Sequence, residues 1–388
     1  MILSLICFLI FTSFAPFATV KAASEPNEDS ELAADAKSAI LIEQDTGTIL
    51  FDKDPHQKLP PASMTKIMTL LLIMESLEDG NLKMDEMIRV SENASSMGGS
   101  QIFLEAGEEM KVSDLLKGIS IASANDASVA LAERISGSEQ AFVKAMNEKV
   151  KELGLENTNF HNTSGLPAED HYSTAYDMAI IARELLKHEN ITDFTSIYED
   201  YLRKGTENEF WLVNTNKLVR FYPGVDGLKT GYTSEAKYCL TATAKKDDMR
   251  VIAVVLGVDS SKARNATVSS MLDYAFNRFE TEKLYEKGEK ITEIDMLKGQ
   301  RKTTNIVTSH AISTIHTKGE EKENITSEYK IDENLTLPIK KGDQVGVLTV
   351  KNGEEILLEA PLTVDQPIES ASFITLLKRS LQELTVFE

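Results

Sequence analysis

Pro60-Pro61-Ala62-Ser63-Met64-Thr65-Lys66 runs straight into Ile67-Met68-Thr69-Leu70-Leu71-Leu72-Ile73-Met74, and the reading of this stretch decides the fold. Proline breaks a helix interior but suits the first turn, where its missing N–H would have had no partner. Beyond the prolines the chain is apolar on nearly every face for more than two turns. A helix of that kind is buried, and this one is too short to span a bilayer. The expectation is a central helix whose polar chemistry is confined to its first turn. Ser63 and Lys66 stand three apart there, on one face. A hydroxyl held beside an amine at the positive end of a helix dipole is how a weak nucleophile is activated.

Working outward, residues 1–22 read as an export signal. Leu3 to Phe17 is its apolar core and Val20-Lys21-Ala22 its small-residue cleavage site, although a basic leading segment is missing. Cys7 falls within it and leaves Cys239 alone in the mature chain, so no intramolecular disulfide is expected. Residues 24–280 read as one large unit. Ser38 to Phe51 has the alternation of a hairpin turning at Asp45-Thr46-Gly47. Ser91 to Gly107 reads as a long loop, Ser113 as the N-cap of a short helix, and Asp126 as the start of another. A further helix ends at Gly154, and Thr174-Ala175-Tyr176-Asp177 opens one more as a capping box. Short β-rich runs follow at Leu228–Tyr232, Tyr238–Ala244 and Val251–Val258, closed by a helix over Lys262–Phe276. Strands first, helices in the middle and strands last imply an α+β fold, with an antiparallel sheet whose late strands pair back onto the first hairpin. Residues 281–366 shift to Lys, Glu, Thr and β-branched segments, a separate small β domain. Residues 367–388 carry an amphipathic helix, either docked on that domain or lying in plane on the outer face of the cytoplasmic membrane, which the exported chain would reach from outside.

A net charge of −20 excludes a phosphate-backbone partner, so no nucleic acid is expected. His161 and His171 flank a loop without metal-ligand spacing; they read as ordinary loop histidines, and neither a metal nor a cofactor is expected.

A Ser-x-x-Lys match alone means little, since Ser327-Glu328-Tyr329-Lys330 is another, in a β-rich segment where residues three apart face opposite sides. What carries weight is an ordered set: Ser63-x-x-Lys66, Ser123-Ala124-Asn125 and Lys229-Thr230-Gly231. They fall at a helix start, an interhelical loop and the strand facing that helix. In this reading Ser63 attacks a carbonyl carbon, and its backbone N–H with that of Tyr232 holds the oxyanion. Lys66 is the base, which requires a neutral amine; burial and Lys229 as a second cation both push in that direction. Ser123 relays the proton to the leaving nitrogen. Asn125 orients the substrate's amide, Lys229 and Thr230 take a carboxylate, and Gly231 leaves room along the strand edge for the substrate.

These motifs, together with Gly107-Glu108-Glu109 and Asp226-Gly227-Leu228, resemble those of the D-alanyl-D-alanine carboxypeptidases, the low-molecular-mass penicillin-binding proteins. The resemblance covers essentially the whole mature chain. It implies a β-lactamase/transpeptidase-like fold with an all-helical subdomain. It also implies a serine acyl-enzyme that removes the terminal D-alanine from peptidoglycan stem pentapeptides, and covalent trapping by β-lactams. An arginine near the carboxylate is implied too, for which Arg264 and Lys217 are the candidates. Two other readings stay open from the residues: a β-lactamase, for which no Glu-x-x-Leu-Asn segment is found between Asn157 and Asp177, and a silent wall-binding protein.

Overall fold

The computed structural model describes residues 31–319 and 325–385, so the export signal assigned to residues 1–22 lies outside the described residues. Strands β1 (Ser38–Glu43) and β2 (Ile49–Lys53) form the expected hairpin. A 3-10 turn over Ala62–Thr65 leads into α1 (Lys66–Glu78). The helical part then holds β3 (Met87–Arg89), α2 (Glu92–Ser95), β4 (Glu109–Lys111), α3 (Val112–Lys117), α4 (Asn125–Ser136), α5 (Glu139–Glu152) and α6 (Ala175–Leu185). After α7 (Thr192–Thr195) come β5 (Glu199–Leu202), β6 (Phe210–Val213) and α8 (Leu218–Phe221). The chain then returns to the first sheet through β7 (Val225–Thr233), β8 (Lys237–Lys246) and β9 (Met249–Val258), and α9 (Ser261–Arg278) covers it.

The main sheet has the order β2-β1-β9-β8-β7, antiparallel throughout. Its middle strand shows why. Along β9, Ile252, Val254 and Leu256 point into the helical side with α1, while Val251, Ala253 and Val255 meet Val268, Met271 and Leu272 of α9. A strand buried on both faces reads as an unbroken apolar run, as Met249–Val258 nearly does. Helix α1 is the keel of the helical side: Ile67, Met68, Leu70, Leu71 and Ile73 are fully buried. Each such side chain contributes about 1.5–3 kcal/mol of burial.

Three local expectations are corrected. The prolines lead into a 3-10 turn rather than the α-helix itself, with Ala62 at φ +48°, and Lys66 is the first residue of α1. The 91–107 segment is not all loop, because Ser91 caps the one-turn helix α2 by accepting from the Ala94 N–H. Ser113 is not an N-cap. The first-turn N–H groups of Val112 and Ser113 donate instead to the carbonyls of Glu86 and Met84, so the tertiary fold supplies what a cap would. The Thr174 cap is as expected, its hydroxyl accepting from Asp177 N–H at 3.0 Å.

Beyond α9 the chain forms β10 (Phe279–Tyr285), β11 (Lys290–Asp295), β12 (Thr303–Thr308), β13 (Ile312–Thr317), β14 (Ile325–Ile331), β15 (Gly346–Asn352) and β16 (Glu355–Val364). A five-stranded sheet, β11-β12-β16-β15-β14, and a β10-β13 pair enclose a separate core around Ile306, Leu348, Val350 and Leu362. Helix α10 (Phe373–Thr385) follows. Arg379 ties it to the carbonyls of Leu297, Gly299 and Gln300, but Phe373 (78% exposed), Ile374 and Leu377 face solvent. No described helix is long and apolar enough to cross a membrane.

Candidate active site

The site lies where the 3-10 turn is pressed against β7, an edge strand of the sheet. Ser63 is half-buried, whereas Lys66 and Lys229 are among the largest fully buried side chains. Lys66 Nζ has three neighbours: Asn125 Oδ1 at 2.6 Å, the Ser164 carbonyl at 2.7 Å and Ser63 Oγ at 3.2 Å. Asn125 Nδ2 donates to the Gly98 carbonyl at 2.6 Å, which fixes its oxygen towards the lysine. A neutral amine has two N–H groups and one lone pair. With both N–H groups spent on fixed carbonyl acceptors, the lone pair is left for the Ser63 hydroxyl.

Burial pushes the Lys66 pKa well below the ordinary lysine value, the Lys229 charge pushes it the same way, and Asp126 opposes them. Lys229 is itself lowered to about 7, by burial and then by Arg264. Arg264 is buried on α9. Lys217 instead places its ammonium over the Tyr198 ring, 5.2 Å from the centroid. Of the two cations proposed for the carboxylate, Arg264 is thus the one brought to the field of Lys229.

The remaining sequence-selected residues are gathered here as well. Asn125 was expected to orient substrate, but its amide is committed to Lys66 and Gly98. Thr230 donates its hydroxyl to Thr215 at 2.8 Å, and Tyr232 lies exposed with its ring 4.4 Å from that of Tyr238. Gly231 was expected to make room for substrate. A Cβ there would sit 2.7 Å from the Pro61 carbonyl oxygen, so its missing side chain first admits the protein's own nucleophile turn. Ser123 sits at φ +65°, nearly buried, and its hydroxyl bonds neither Ser63 nor Lys66. The decoy Ser327–Lys330 lies in β14, outside the site.

Two family models match the chain: D-alanyl-D-alanine carboxypeptidase over residues 20–260, and the penicillin-binding protein 5 C-terminal domain over residues 279–370. D-alanyl-D-alanine carboxypeptidase DacF of Bacillus subtilis is 55% identical over 380 residues, 98% of this chain and 97% of that protein. The chain belongs to the D-alanyl-D-alanine carboxypeptidase family. DacC of Escherichia coli is 33% identical, covering 93% of this chain and 89% of that one. The crystal structure of penicillin binding protein 5 from Haemophilus influenzae superposes with a TM-score of 0.67 at 32% identity, over 86% of this chain and 98% of that one. The chain is a serine-type carboxypeptidase of the transpeptidase-like fold.

Several supports of this carboxypeptidase site were given no role in it from the sequence. Gly165, at φ +82°, would place a Cβ 1.8 Å from the Ala62 carbonyl oxygen and 2.9 Å from Ser63 N. Only glycine fits against the nucleophile turn at that point. His171 is not an ordinary loop histidine. The His161 N–H donates to its Nδ1 at 3.1 Å, so Nε2 carries the proton and donates to Thr65 Oγ1 at 2.8 Å. Burial, then His161, lowers its pKa to about 4, which keeps it neutral. Asp126 accepts from the N–H groups of Ile102, Leu104 and Ala127, pinning the 98–104 loop whose Gly98 carbonyl holds Asn125. Asp226, from the Asp226-Gly227 pair ahead of Lys229, forms a two-pronged ion pair with Arg250 at 2.7 Å. A Ser, Asp, His or Gly at these positions has no local pattern to mark it, because each partner lies far away in sequence.

Proposed function

We propose that Ser63 is the nucleophile that cleaves the terminal peptide bond of a peptidoglycan stem pentapeptide and releases D-alanine. The observation that supports this most is the Lys66 amine, with two carbonyl acceptors for its protons and the Ser63 hydroxyl 3.2 Å away. In the first step Ser63 Oγ bonds the carbonyl carbon while its proton passes to Lys66. The oxyanion is held by the Ser63 N–H and by the Tyr232 N–H of edge strand β7. As the C–N bond breaks, the proton moves to the departing nitrogen through Ser123, whose hydroxyl is uncommitted to the other two groups. Water then hydrolyses the acyl-enzyme with Lys66 again the base. Lys229 and Thr230 hold the terminal carboxylate, with Arg264 behind them. Asn125 positions the base.

A β-lactam enters the same path, but its leaving nitrogen stays tethered to the acyl group, so the adduct persists. Residues 24–280 form the catalytic unit in this account, 281–366 a β domain beside it and 367–388 an amphipathic helix. The exposed Phe373, Ile374 and Leu377 favour in-plane attachment of the exported enzyme to the outer face of the cytoplasmic membrane, without spanning it. The test is D-alanine release from a stem pentapeptide, together with mass spectrometry of the penicillin-treated protein. Release abolished in Ser63→Ala and a long-lived adduct on the Ser63 peptide are expected. An adduct that turns over within seconds would indicate a β-lactamase, and no release by the native enzyme would leave a silent wall-binding protein. Flotation with phospholipid vesicles, lost when residues 372–388 are removed, tests the attachment.

A further inference from the structure

Between β6 and α8 the chain passes behind the site as Asn214-Thr215-Asn216, and its two asparagines hold it in place. Asn214, 2% exposed, donates its amide to the carbonyls of Thr195 and Ile197 at 3.0 and 2.8 Å and accepts the Asn216 N–H at 2.9 Å. Asn216, 1% exposed, donates to the Gly227 carbonyl at 2.9 Å and accepts the Leu218 N–H at 3.2 Å. Buried amides satisfied in this way make the backbone between them rigid.

Thr215 stands at the centre of this brace. Its N–H donates to the Ile121 carbonyl at 3.1 Å, in the π-helix Gly118–Ala122 immediately ahead of Ser123. Its hydroxyl accepts from Thr230 at 2.8 Å. One short segment thus ties the Ser123 turn to the strand that carries Lys229 and Thr230. Both asparagine side chains are spent on backbone groups, whereas the half-buried Thr215 hydroxyl has Thr230 as its one partner among the described residues.

The direction of that bond is the opposite of what a carboxylate needs. With its hydrogen turned to Thr215, Thr230 presents only lone pairs to the crevice. A hydroxyl both donates and accepts, so the pair can reverse. Thr230 then rotates its hydrogen to the carboxylate, and Thr215 rotates its own onto the Thr230 oxygen. No proton leaves its oxygen. In the reversed pair both bonds point towards the anion, and each strengthens the other.

We propose that Thr215 is a positioning residue of the carboxylate clamp, and that the Thr215–Thr230 hydroxyl pair reverses when a free carboxylate binds. This rests on the placement of the carboxylate at Lys229 and Thr230 given above. It gives Thr215 a share in the selection of ligands that end in a free carboxylate over those in which that group is esterified. Thr215 acts through Thr230, so its share is about five- to tenfold.

The test compares the second-order rates of acylation by benzylpenicillin and by its methyl ester. The native enzyme should favour the acid. Thr215→Val keeps the branched shape without the hydroxyl and should lower the acid-over-ester ratio about five- to tenfold. Thr215→Ser restores a donor and should keep the native ratio, with thermal unfolding showing both variants folded. A merely structural role would slow acid and ester alike. A ratio unmoved in Thr215→Val, or lowered as much in Thr215→Ser, would therefore overturn the proposal. Equal acylation of the native enzyme by acid and ester would instead overturn the carboxylate placement on which the proposal rests.

Discussion

Replacing Gly165 by alanine tests how tightly the 160s loop sets the nucleophile. The added Cβ would lie 1.8 Å from the Ala62 carbonyl oxygen and 2.9 Å from the Ser63 nitrogen. Cβ contacts under 3.0 Å are essentially never made, so the oxygen or the loop must retreat by 1.2 Å, the difference between 3.0 and 1.8 Å. Neither side can do so cheaply. The turn is clamped from behind by β7, where Gly231 already meets Pro61, and the loop carries the Ser164 carbonyl that holds Lys66. A backbone at φ +82° adds about 1 kcal/mol of its own for a residue with a side chain. Displacing a catalytic group by about 1 Å costs on the order of a hundredfold in rate. Gly165→Ala should therefore acylate with a fluorescent penicillin about a hundredfold more slowly, and lose about 2–3 kcal/mol of stability in urea unfolding. Acylation at the native rate with an unshifted midpoint would show that the loop does not set the nucleophile turn, and would refute the reasoning.

Gly231→Ala asks for less, since 2.7 Å from the Pro61 oxygen needs a shift of only 0.3 Å; a loss of about tenfold or less in acylation rate is expected. Lys229→Gln removes a cation that depresses Lys66, so the Lys66 pKa should rise and the acid limb of the kcat/KM profile should move to higher pH. An unmoved limb would mean burial alone makes the base. His171 contributes a pH-dependent stability with a definite sign. Its pKa falls from 6.5 to about 4 on folding, so between those values the unfolded chain binds more protons. Stability should fall as pH drops from 6.5 to 4, by about 3 kcal/mol from this group, and His171→Gln should flatten that part of the curve in urea titrations. Asp126→Asn should loosen the 98–104 loop. The expected loss is about 1–3 kcal/mol of stability, with hydrogen exchange accelerated at Ile102 and Leu104.

The fold was legible where a side chain's surroundings repeat along the chain. The apolar run after Lys66, the alternation of β1 and β2 and the continuous run of β9 each report one buried surface, and the elements lie where those patterns place them. The Thr174 cap is a purely local hydrogen bond and was equally readable. The Ser113 start failed because the carbonyls of Glu86 and Met84 do the capping, and they come from another element. In the site, the three motifs converge because the 3-10 turn, the start of α4 and strand β7 come together at one crevice. Their partners were hidden. Ser164 meets Lys66 across 98 residues and His171 meets Thr65 across 106, so no spacing rule joins them. Gly231 shows how a residue type can be selected correctly for an incomplete reason: a glycine marks a close approach, but the sequence does not say what approaches.

The claim on which the rest depends is that Lys66 is a neutral amine in the resting enzyme. The most direct measurement is an NMR titration of protein labelled at the lysine side chains, with the Lys66 resonance assigned from Lys66→Arg. The complete burial and the nearby Lys229 predict titration well below the ordinary lysine value of 10.5. A Lys66 that titrates at or above that value would contradict the account, because a protonated amine has no lone pair to take the proton from Ser63.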